Sequence, residues 1–294
     1  MTGSLTVVGT GIRALTQLTA EANAVIRGSD VVHYVVPDGL SAQMLHWQAK
    51  EARDLSDLYG TDKERTDTYE AMVDRIVAEV AEGRDVCAVF YGHPGVFVDP
   101  SHEAIRRVRD MGLPARMMPG VSAADALYAD LGFDPGTDGI AQYTAMDFLL
   151  RPRTIDPTTP LLLWQIGAVG ETKGALEPAT QHLGLIAEVL QRHYPADHPV
   201  VLYVASAQPT GDADIQVVAL AELPEAKVTR EATLLVPAAG LAAIDPAMAE
   251  LLGDASSADD VRPGRLETQR FVGGPGSDAN EVDHLGVSAM EAGG

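Results

Sequence analysis

Apolar residues in the first third of the chain alternate between short continuous runs and helical spacing. The continuous runs, which predict strands, span residues 5–8, 31–36 and 86–90. Apolar residues spaced three or four apart predict helices around 15–26, 69–80 and 105–108. Strands that alternate with helices in this way predict an α/β fold with a parallel sheet covered on both faces.

The remainder of the chain has a different pattern. It has four apolar runs, at 161–166, 200–204, 216–220 and 233–236, and one helical segment at 181–192. This pattern predicts a mixed sheet. The turn-like Met117-Met118-Pro119-Gly120 marks a crossing into this second part. We therefore expect an N-terminal lobe at 1–118, a C-terminal lobe at 119–253 and a tail at 254–294, acidic and glycine-rich, that we expect to be extended or disordered on its own.

The charge balance disfavours several classes of partner. The 294 residues include 42 Asp and Glu against 21 Lys and Arg, which gives a net charge of −21. Such a chain is poorly suited to binding nucleic acid or an anionic membrane. No apolar run approaches the ~20 residues that span a bilayer, and the N-terminus enters a strand pattern at once, so we expect a cytoplasmic protein.

Cysteine and histidine give no sign of a metal site. The single cysteine, Cys87, lies inside an apolar run and is best interpreted as a small buried hydrophobe. The histidines lack ligand spacing of the His-x-x-x-His kind. We expect no metal, and we expect His93, beside Pro94, to shape its loop.

Glycine-rich turns follow two of the predicted strands and open the second lobe. They are Gly9-Thr10-Gly11, the long run Phe90 to His102, and Met118 to Ser122. Glycine at the carboxyl end of a strand lets the backbone turn sharply and approach a ligand. Gly9-x-Gly11-x-x-Ala14 also matches a loose dinucleotide fingerprint, but the acidic residue expected after the second strand, Asp38, follows a proline and fits poorly.

A second group of polar residues lies at 59–69. Arg65 and Tyr69 are four apart at the start of a predicted helix and share one face, with Tyr59 in the polar loop before them. From the pattern alone, a core tyrosine and a solvated arginine remain the simpler interpretation.

Taken together, these motifs resemble the tetrapyrrole-methylase superfamily, and within it the borosin peptide-backbone α-N-methyltransferases. The similarity runs from Ser4 to about Pro237. Its carriers are Ser4 to Ile12, Arg65-x-x-Thr68-Tyr69, Val89 to His102, Ala115 to Ala123, Ala129-Asp130-Leu131, Gln165 to Gly170 and His198 to Val201. The histidine–proline run is the most specific of them, and the first glycine pair the least.

The resemblance implies two α/β lobes with S-adenosylmethionine in the cleft between them, leaving S-adenosylhomocysteine as product. It also implies a homodimer. The implied cofactor-binding residues are Tyr91, Gly92, His93, Val96, Phe97, Ser122, Ala123, Gln165, Ile166, Tyr203 and Ala205. Backbone groups would read the adenine while apolar side chains enclose it.

The resemblance also gives the second polar group a catalytic role. An amide nitrogen is a poor nucleophile because its lone pair is delocalised into the carbonyl. Its methylation requires loss of the N–H proton and stabilisation of the resulting imidate oxygen. We expect Tyr69 to be the base or relay, with Arg65 and Tyr59 at the oxygen, although the two tyrosines could exchange roles. We expect the neighbouring Arg65 to lower the tyrosine pKa.

Several functions remain open at this level. Fungal borosins are fusions with a helical clasp and a substrate core. Here about forty residues follow the methylase-like part, so we expect the split, bacterial branch, with the precursor peptide supplied in trans. The alternatives are self-methylation of the tail, whose residues 284–290 are only weakly core-like, methylation of a tetrapyrrole, and a non-catalytic peptide-binding protein.

Overall fold

We describe a computed structural model of the chain, covering residues 2–60, 63–171, 173 and 178–252. The tail expected at 254–294 lies outside the described residues. Two five-stranded sheets form the centres of two successive parts of the chain. The first ends with a strand that closes at Met117, and the second begins at Ala141.

The first sheet is wholly parallel, as the alternating pattern predicted. Its strands run in the order β3-β2-β4-β1-β5, and they are β1 (Ser4–Gly9), β2 (Val31–Val35), β3 (Ala52–Asp54), β4 (Asp85–Phe90) and β5 (Ala115–Met117). Four helices cover it: α1 (Ala20–Gly28), α2 (Gly39–Gln48), α3 (Arg65–Ala81) and α4 (Asp99–Asp110).

Helices pack on both faces of this sheet. Buried residues of α1 and α2, such as Ile26 and Leu45, lie on one face. Residues of α3 and α4, such as Ile76 and Val108, lie on the other. The chain leaves β1 towards β2 through α1 and leaves the adjacent β4 towards β5 through α4, so the loops after β1 and β4 diverge to opposite faces. A crevice opens where two such loops diverge, and ligands bind there in open α/β sheets.

The second sheet is mixed, also as predicted. Its order is β6-β7-β10-β8-β9, with β6 parallel to β7 and the other pairs antiparallel. The strands are β6 (Ala141–Thr144), β7 (Leu161–Trp164), β8 (Pro199–Val204), β9 (Asp214–Ala219) and β10 (Thr233–Val236). The helices of this part are α5 (Ala123–Leu131), α6 (Pro135–Asp138), α7 (Ala145–Leu150), α8 (Leu183–Leu190) and α9 (Pro246–Leu252). No described helix is long and apolar enough to cross a bilayer.

Some elements differ from the sequence prediction. The helix expected from Leu15 begins only at Ala20, because the Thr19 side chain accepts a hydrogen bond from the backbone N–H of Ala22 and caps it there. Leu15 instead has a φ of 66°, in the left-handed region that β-carbon-bearing residues avoid. Elements that were not predicted include α2, β3, β5 and β6, which are short or lack a clear apolar period.

Because of the buried histidine His33, we expect the unfolding free energy of the first lobe to fall in acid. The side chain is 1% exposed on β2, and neither ring nitrogen has a hydrogen-bond partner among the residues that the structure describes. Burial lowers the pKa of His33 to about 4, against a weaker opposing effect of Glu79; Arg53, Arg75 and Arg84 lower it further. The native state therefore keeps the ring neutral, while the unfolded chain takes up a proton below its ordinary pKa of 6.5.

Stability that depends on neutral His33 is complete above pH 6.5 and is lost as the pH falls towards 4, by up to about 3 kcal/mol. We expect His33→Phe to flatten the dependence of unfolding free energy on pH across this interval. Urea melts between pH 4 and 7 measure it, with His193→Gln, at an exposed position, as control. An unchanged slope in His33→Phe would show that other groups cause the acid sensitivity.

Candidate cofactor cleft and reaction site

Three glycine-containing loops meet at the carboxyl edge of the first sheet. The backbones of Gly11 and Gly92 exchange two hydrogen bonds, of 3.2 and 3.0 Å. A β-carbon placed on Gly9 would lie 2.1 Å from the carbonyl oxygen of Gly92, and one on Gly120 would lie 3.1 Å from the same oxygen. A side chain at Gly9 would force the loops apart and one at Gly120 would crowd them, so both glycines help to bring the three loops together.

Two histidines fold the long loop between β4 and α4. The Nδ1 atom of His93 accepts a hydrogen bond of 2.9 Å from the backbone N–H of Gly95. The Nε2 atom of His102 lies 3.0 Å from the carbonyl oxygen of Gly95. Val96 and Phe97, which follow, are 39% and 45% exposed although both are apolar. The histidines therefore shape the loop, as expected for His93, and the loop presents an apolar surface outward.

The second lobe forms the opposite wall of this crevice. The ring of Phe97 lies 5.7 Å, centroid to centroid, from the ring of Trp164 at the end of β7. Gln165, the next residue, is exposed and has a φ of 58°. Phe97, with a φ of 57°, and Leu15 are the other non-glycine residues with positive φ in the described chain, and Phe97 lies against the β7 end. Such strain concentrates where a ligand is held.

The cofactor residues expected from the sequence occupy three kinds of position. Gly92 could offer a ligand only its backbone. The partly exposed residues are Tyr91, His93, Ala123 and Ala205. Ile166 is fully buried in the core of the second lobe, and the hydroxyl of Ser122 is engaged with Asp125 in a capping box at the start of α5. At these last two positions a ligand would meet the backbone rather than the side chain.

A charged contact at Asp130 joins the two lobes. Tyr203, which is 1% exposed on β8, donates a 2.7 Å hydrogen bond from its hydroxyl to Asp130 on α5, within the second lobe. Arg13, in the loop after β1, lies 3.8 Å from the other oxygen of Asp130 and donates a 2.7 Å hydrogen bond to the carbonyl of Gly211. Arg13 had no role in the sequence prediction, since nothing in its pattern distinguishes it from a solvated arginine.

The structure brings Tyr59, Arg65 and Tyr69 together beside the second lobe. Tyr59 and Tyr69 affect each other's pKa, and the positive charge of Arg65 lowers the pKa of both. Arg65 also donates to the carbonyl of Lys173, 3.4 Å away, next to a β-bridge between Glu64 and Lys173. Tyr59 is 43% exposed, so the cluster is open to a partner on one side.

Burial sets the pKa of both tyrosines. It raises the pKa of Tyr59 to about 12 and raises the pKa of Tyr69 as well. Arg65 opposes the rise, as expected from the sequence, but burial outweighs it, so the net direction is upward rather than downward. After burial, the largest influence on Tyr69 is the positive charge of Arg65, which lowers its pKa, whereas at Tyr59 the neighbouring Tyr69 comes before Arg65 and raises the pKa. Tyr69 is thus favoured as the one to lose its proton.

Two charged residues near this cluster were missed by the sequence analysis. Asp99, the first residue of α4, raises the pKa of Tyr69 through its negative charge. Arg230, in the turn before β10, lowers the pKa of both Tyr59 and Tyr69. Arg230 is separated from Tyr69 by 161 positions in the chain, so no local sequence signal could have joined them. Among the described residues, no three of His, Cys, Asp and Glu cluster as metal ligands.

Asp38 also has a position that the fingerprint interpretation did not anticipate. Its side chain accepts a 2.7 Å hydrogen bond from the backbone N–H of Ser41 and caps the start of α2. The carboxylate is therefore engaged locally, which weakens the case for the acidic residue of a dinucleotide fold.

Comparison with known proteins finds relatives whose names combine a methyltransferase with a ribosomally synthesized peptide precursor. A methyltransferase/ribosomally synthesized type I borosin cyclic peptide precursor from Coprinopsis marcescibilis is 44% identical over 211 residues, covering 71% of this chain and 54% of the relative. A similarly named protein from Serendipita vermifera subsp. bescii is 39% identical, covering 85% and 62%. A methyltransferase/omphalotin A precursor from Omphalotus olearius is 40% identical, covering 78% and 55%. The chain thus spans between half and two thirds of these relatives' length.

Solved structures share the fold. A uroporphyrin-III-C-methyltransferase from Thermus thermophilus superimposes with a TM-score of 0.58 at 24% identity, over 81% of this chain and 93% of that one. Its counterpart complexed with S-adenosylhomocysteine gives a TM-score of 0.54 at 19% identity, covering 79% and 91%. The family model for tetrapyrrole (corrin/porphyrin) methylases matches residues 4–223, which include both sheets as far as β9 and the three glycine loops. The chain therefore belongs to the tetrapyrrole (corrin/porphyrin) methylase family.

Proposed function

We propose that this protein is an S-adenosylmethionine-dependent methyltransferase that methylates backbone amide nitrogens of a ribosomally made precursor peptide. The observation that carries the proposal is the Tyr59–Arg65–Tyr69 cluster beside an apolar, glycine-lined cleft. The identity of 39–44% to proteins named as borosin methyltransferase precursors supports the choice of substrate class.

The cleft suits the proposed cofactor. Close backbone approach at Gly9 and Gly92 leaves this wall of the cleft without side chains, so that an adenosine group can lie against the main chain. Val96, Phe97 and Trp164 offer apolar surface beside them. S-adenosylmethionine, when bound, supplies a sulfonium methyl group whose bond to sulfur breaks as the bond to the amide nitrogen forms.

The reaction cluster supplies the two functions that an amide requires. Tyr69, as phenolate, takes the proton of the amide nitrogen. Arg65 donates hydrogen bonds to the amide oxygen, on which negative charge develops as that proton leaves. Tyr59 would donate to the same oxygen or to Tyr69, and the greater weight of Arg65 at Tyr69 supports this assignment over the exchanged one.

Two features of the chain, its net charge and the Tyr59–Arg65–Tyr69 cluster, favour this function over methylation of a tetrapyrrole. A tetrapyrrole carries several carboxylates, and the chain's net charge of −21 disfavours it. Carbon methylation of a macrocycle also has no need of a base matched to an amide N–H. A purely peptide-binding role would bind cofactor and peptide without transfer of a methyl group.

The source of the peptide is part of the proposal. We propose a precursor supplied as a separate chain, with self-methylation within residues 254–294 as the competing arrangement. The relatives named above join methyltransferase and precursor in one chain and come from fungi, so they do not support assignment to the bacterial branch. The homodimer and the cytoplasmic location stay predictions.

Mass spectrometry decides between these arrangements. We expect co-expression with a neighbouring small open reading frame to add increments of about 14 Da, one CH₂ per transfer, to the encoded peptide, while protein expressed alone stays unmodified. Fragmentation places each increment on a backbone nitrogen or a side chain. Increments on the protein's own C-terminal peptide would replace the proposed arrangement with self-methylation, and cofactor binding without any increment would favour a binding protein.

A further inference from the structure

The loop after β1 is held in one conformation where it carries Arg13. The backbone N–H groups of Ile12 and Arg13 both donate to the side-chain oxygen of Gln17, over 2.7 and 2.9 Å. A β-carbon on Gly11 would lie 2.3 Å from the β-carbon of the same glutamine. Gly11 also exchanges backbone hydrogen bonds with Gly92 in the cleft. The backbone of Arg13 is therefore fixed to the glycine contact of the first lobe.

Arg13 reaches from this segment to the second lobe, where it contacts the β8–β9 loop (residues 205–213). Its Nη1 atom donates a 2.7 Å hydrogen bond to the carbonyl oxygen of Gly211. The backbone N–H of the next residue, Ala14, donates a 2.9 Å hydrogen bond to the carbonyl oxygen of Ala207 in the same loop. A hydrogen bond from a charged donor is stronger than one between neutral groups, so we expect the arginine to contribute more than Ala14.

Asp130 on α5 directs the guanidinium of Arg13. One carboxylate oxygen accepts the 2.7 Å hydrogen bond from Tyr203, and the other lies 3.8 Å from Nη2 of Arg13. The side chains of Arg13 and Asp130 are 26% and 23% exposed, so water screens their attraction only in part. The planar fork of a guanidinium can address two acceptors at once, which the single ammonium of a lysine does less well. The position therefore suits arginine in particular.

The β8–β9 loop begins with a residue that the sequence assigned to the cofactor. Ala205 is two positions before Ala207, which Ala14 holds. A β-carbon on Gly211 would lie 2.4 Å from the Oγ atom of Ser206, so the two ends of the loop lie against each other. Holding Gly211 therefore also holds Ser206 and, next to it, Ala205.

We propose that Arg13 is a positioning residue for cofactor binding, which holds the β8–β9 loop of the second lobe against the loop after β1. The inference rests on the proposed function for the identity of the cofactor, S-adenosylmethionine. It adds that the cleft is ordered before the cofactor arrives, because one arginine joins the cofactor loops of both lobes. A loop that is already ordered loses less conformational entropy on binding, which raises affinity.

Hydrogen exchange in the cofactor-free, full-length protein tests whether Arg13 holds the loop. We expect the amides of residues 205–211 to exchange about tenfold faster in Arg13→Gln than in the native protein, with Arg13→Lys between them. Arg109→Gln is the matched control, since Arg109 also donates to a backbone carbonyl, that of Ala115, but within one lobe. It should leave exchange in this loop unchanged. Equal exchange in the native protein and Arg13→Gln would overturn the inference.

Titration calorimetry with S-adenosylhomocysteine tests the connection to the cofactor. We expect Arg13→Gln to bind about tenfold more weakly, and Arg109→Gln to bind as the native protein does. With an active peptide, Arg13→Gln should raise KM for S-adenosylmethionine by the same factor and leave kcat at saturating cofactor unchanged. A general loss of folded protein would instead lower kcat.

The two measurements separate this inference from the proposed function. Native affinity in Arg13→Gln despite faster exchange would overturn the role of Arg13 in cofactor binding and leave the proposed function intact. Weaker binding by Arg13→Gln of a cofactor that the native protein transfers to no peptide would refute the proposed substrate and support the role of Arg13.

Discussion

Replacing Tyr69 with phenylalanine is expected to lower the rate of peptide methylation by about 10²–10⁴-fold, the usual contribution of a positioned base. The substitution removes one oxygen from a partly buried ring on α3 and leaves the glycine loops of the cleft untouched. Affinity for S-adenosylmethionine should therefore stay the same. Single-turnover rates and isothermal titration with S-adenosylhomocysteine measure the two quantities separately.

The pH dependence of the native protein gives a second view of the same residue. Burial raises the pKa of Tyr69 above its ordinary value of 10.0, so the phenolate is a minor form at neutral pH. Its fraction grows about tenfold for each pH unit below the pKa. We expect kcat to rise with pH between 7 and 9, and the Tyr69→Phe variant to lose this dependence.

The matched control is Tyr194→Phe. Tyr194 is also a buried tyrosine, but it lies in the core of the second lobe and its hydroxyl has no hydrogen-bond partner among the described residues. Its loss should leave methylation unchanged. Near-native turnover by Tyr69→Phe would reject Tyr69 as the base, and Tyr59→Phe would then be the variant to test for the exchanged assignment.

Replacing Gly9 with alanine is expected to lower the affinity for S-adenosylmethionine by about 100-fold, towards the upper end of what overpacking costs. The added β-carbon would lie 2.1 Å from the carbonyl oxygen of Gly92 and 2.8 Å from the ring of Pro94, so the loops after β1 and β4 must separate. Overpacking of this kind costs about 1–3 kcal/mol of stability, and here it also displaces the backbone that lines the cleft.

Gly28→Ala is the control for this substitution. Gly28 ends α1, and a β-carbon there would meet nothing within 4 Å. We expect native cofactor affinity and unchanged or slightly higher stability, because alanine is the better helix former. Titration calorimetry and thermal melts compare the two variants. Native affinity in Gly9→Ala would mean that the cofactor is bound away from the Gly9–Gly92 contact.

Local sequence was sufficient where a single segment carries the signal. The apolar run at 86–90 became β4, and the alternation around it gave the parallel sheet, because a strand covered on both faces is apolar throughout. The glycine loops were also identified in advance, since their turns depend on a few adjacent residues. Short elements such as β3 and β5, of three residues each, carry too little pattern to be seen.

Long-range contacts were inaccessible to the same reasoning. The Arg13–Asp130–Tyr203 connection joins three distant segments. The turn that carries Arg230 is fixed beside the Gln165 loop, more than sixty positions earlier in the chain. The sequence correctly placed an arginine next to the tyrosines, but the net direction of the pKa shift depends on burial, which is a property of the packed site.

By itself the sequence determined the class of fold, the glycine turns and the pairing of Arg65 with Tyr69, because each depends on residues within a few positions of one another. The tertiary structure decided which charges surround Tyr69 and how strongly its hydroxyl is desolvated. Electrostatic energy depends on distance and on access of water, and both are fixed only when the two lobes pack.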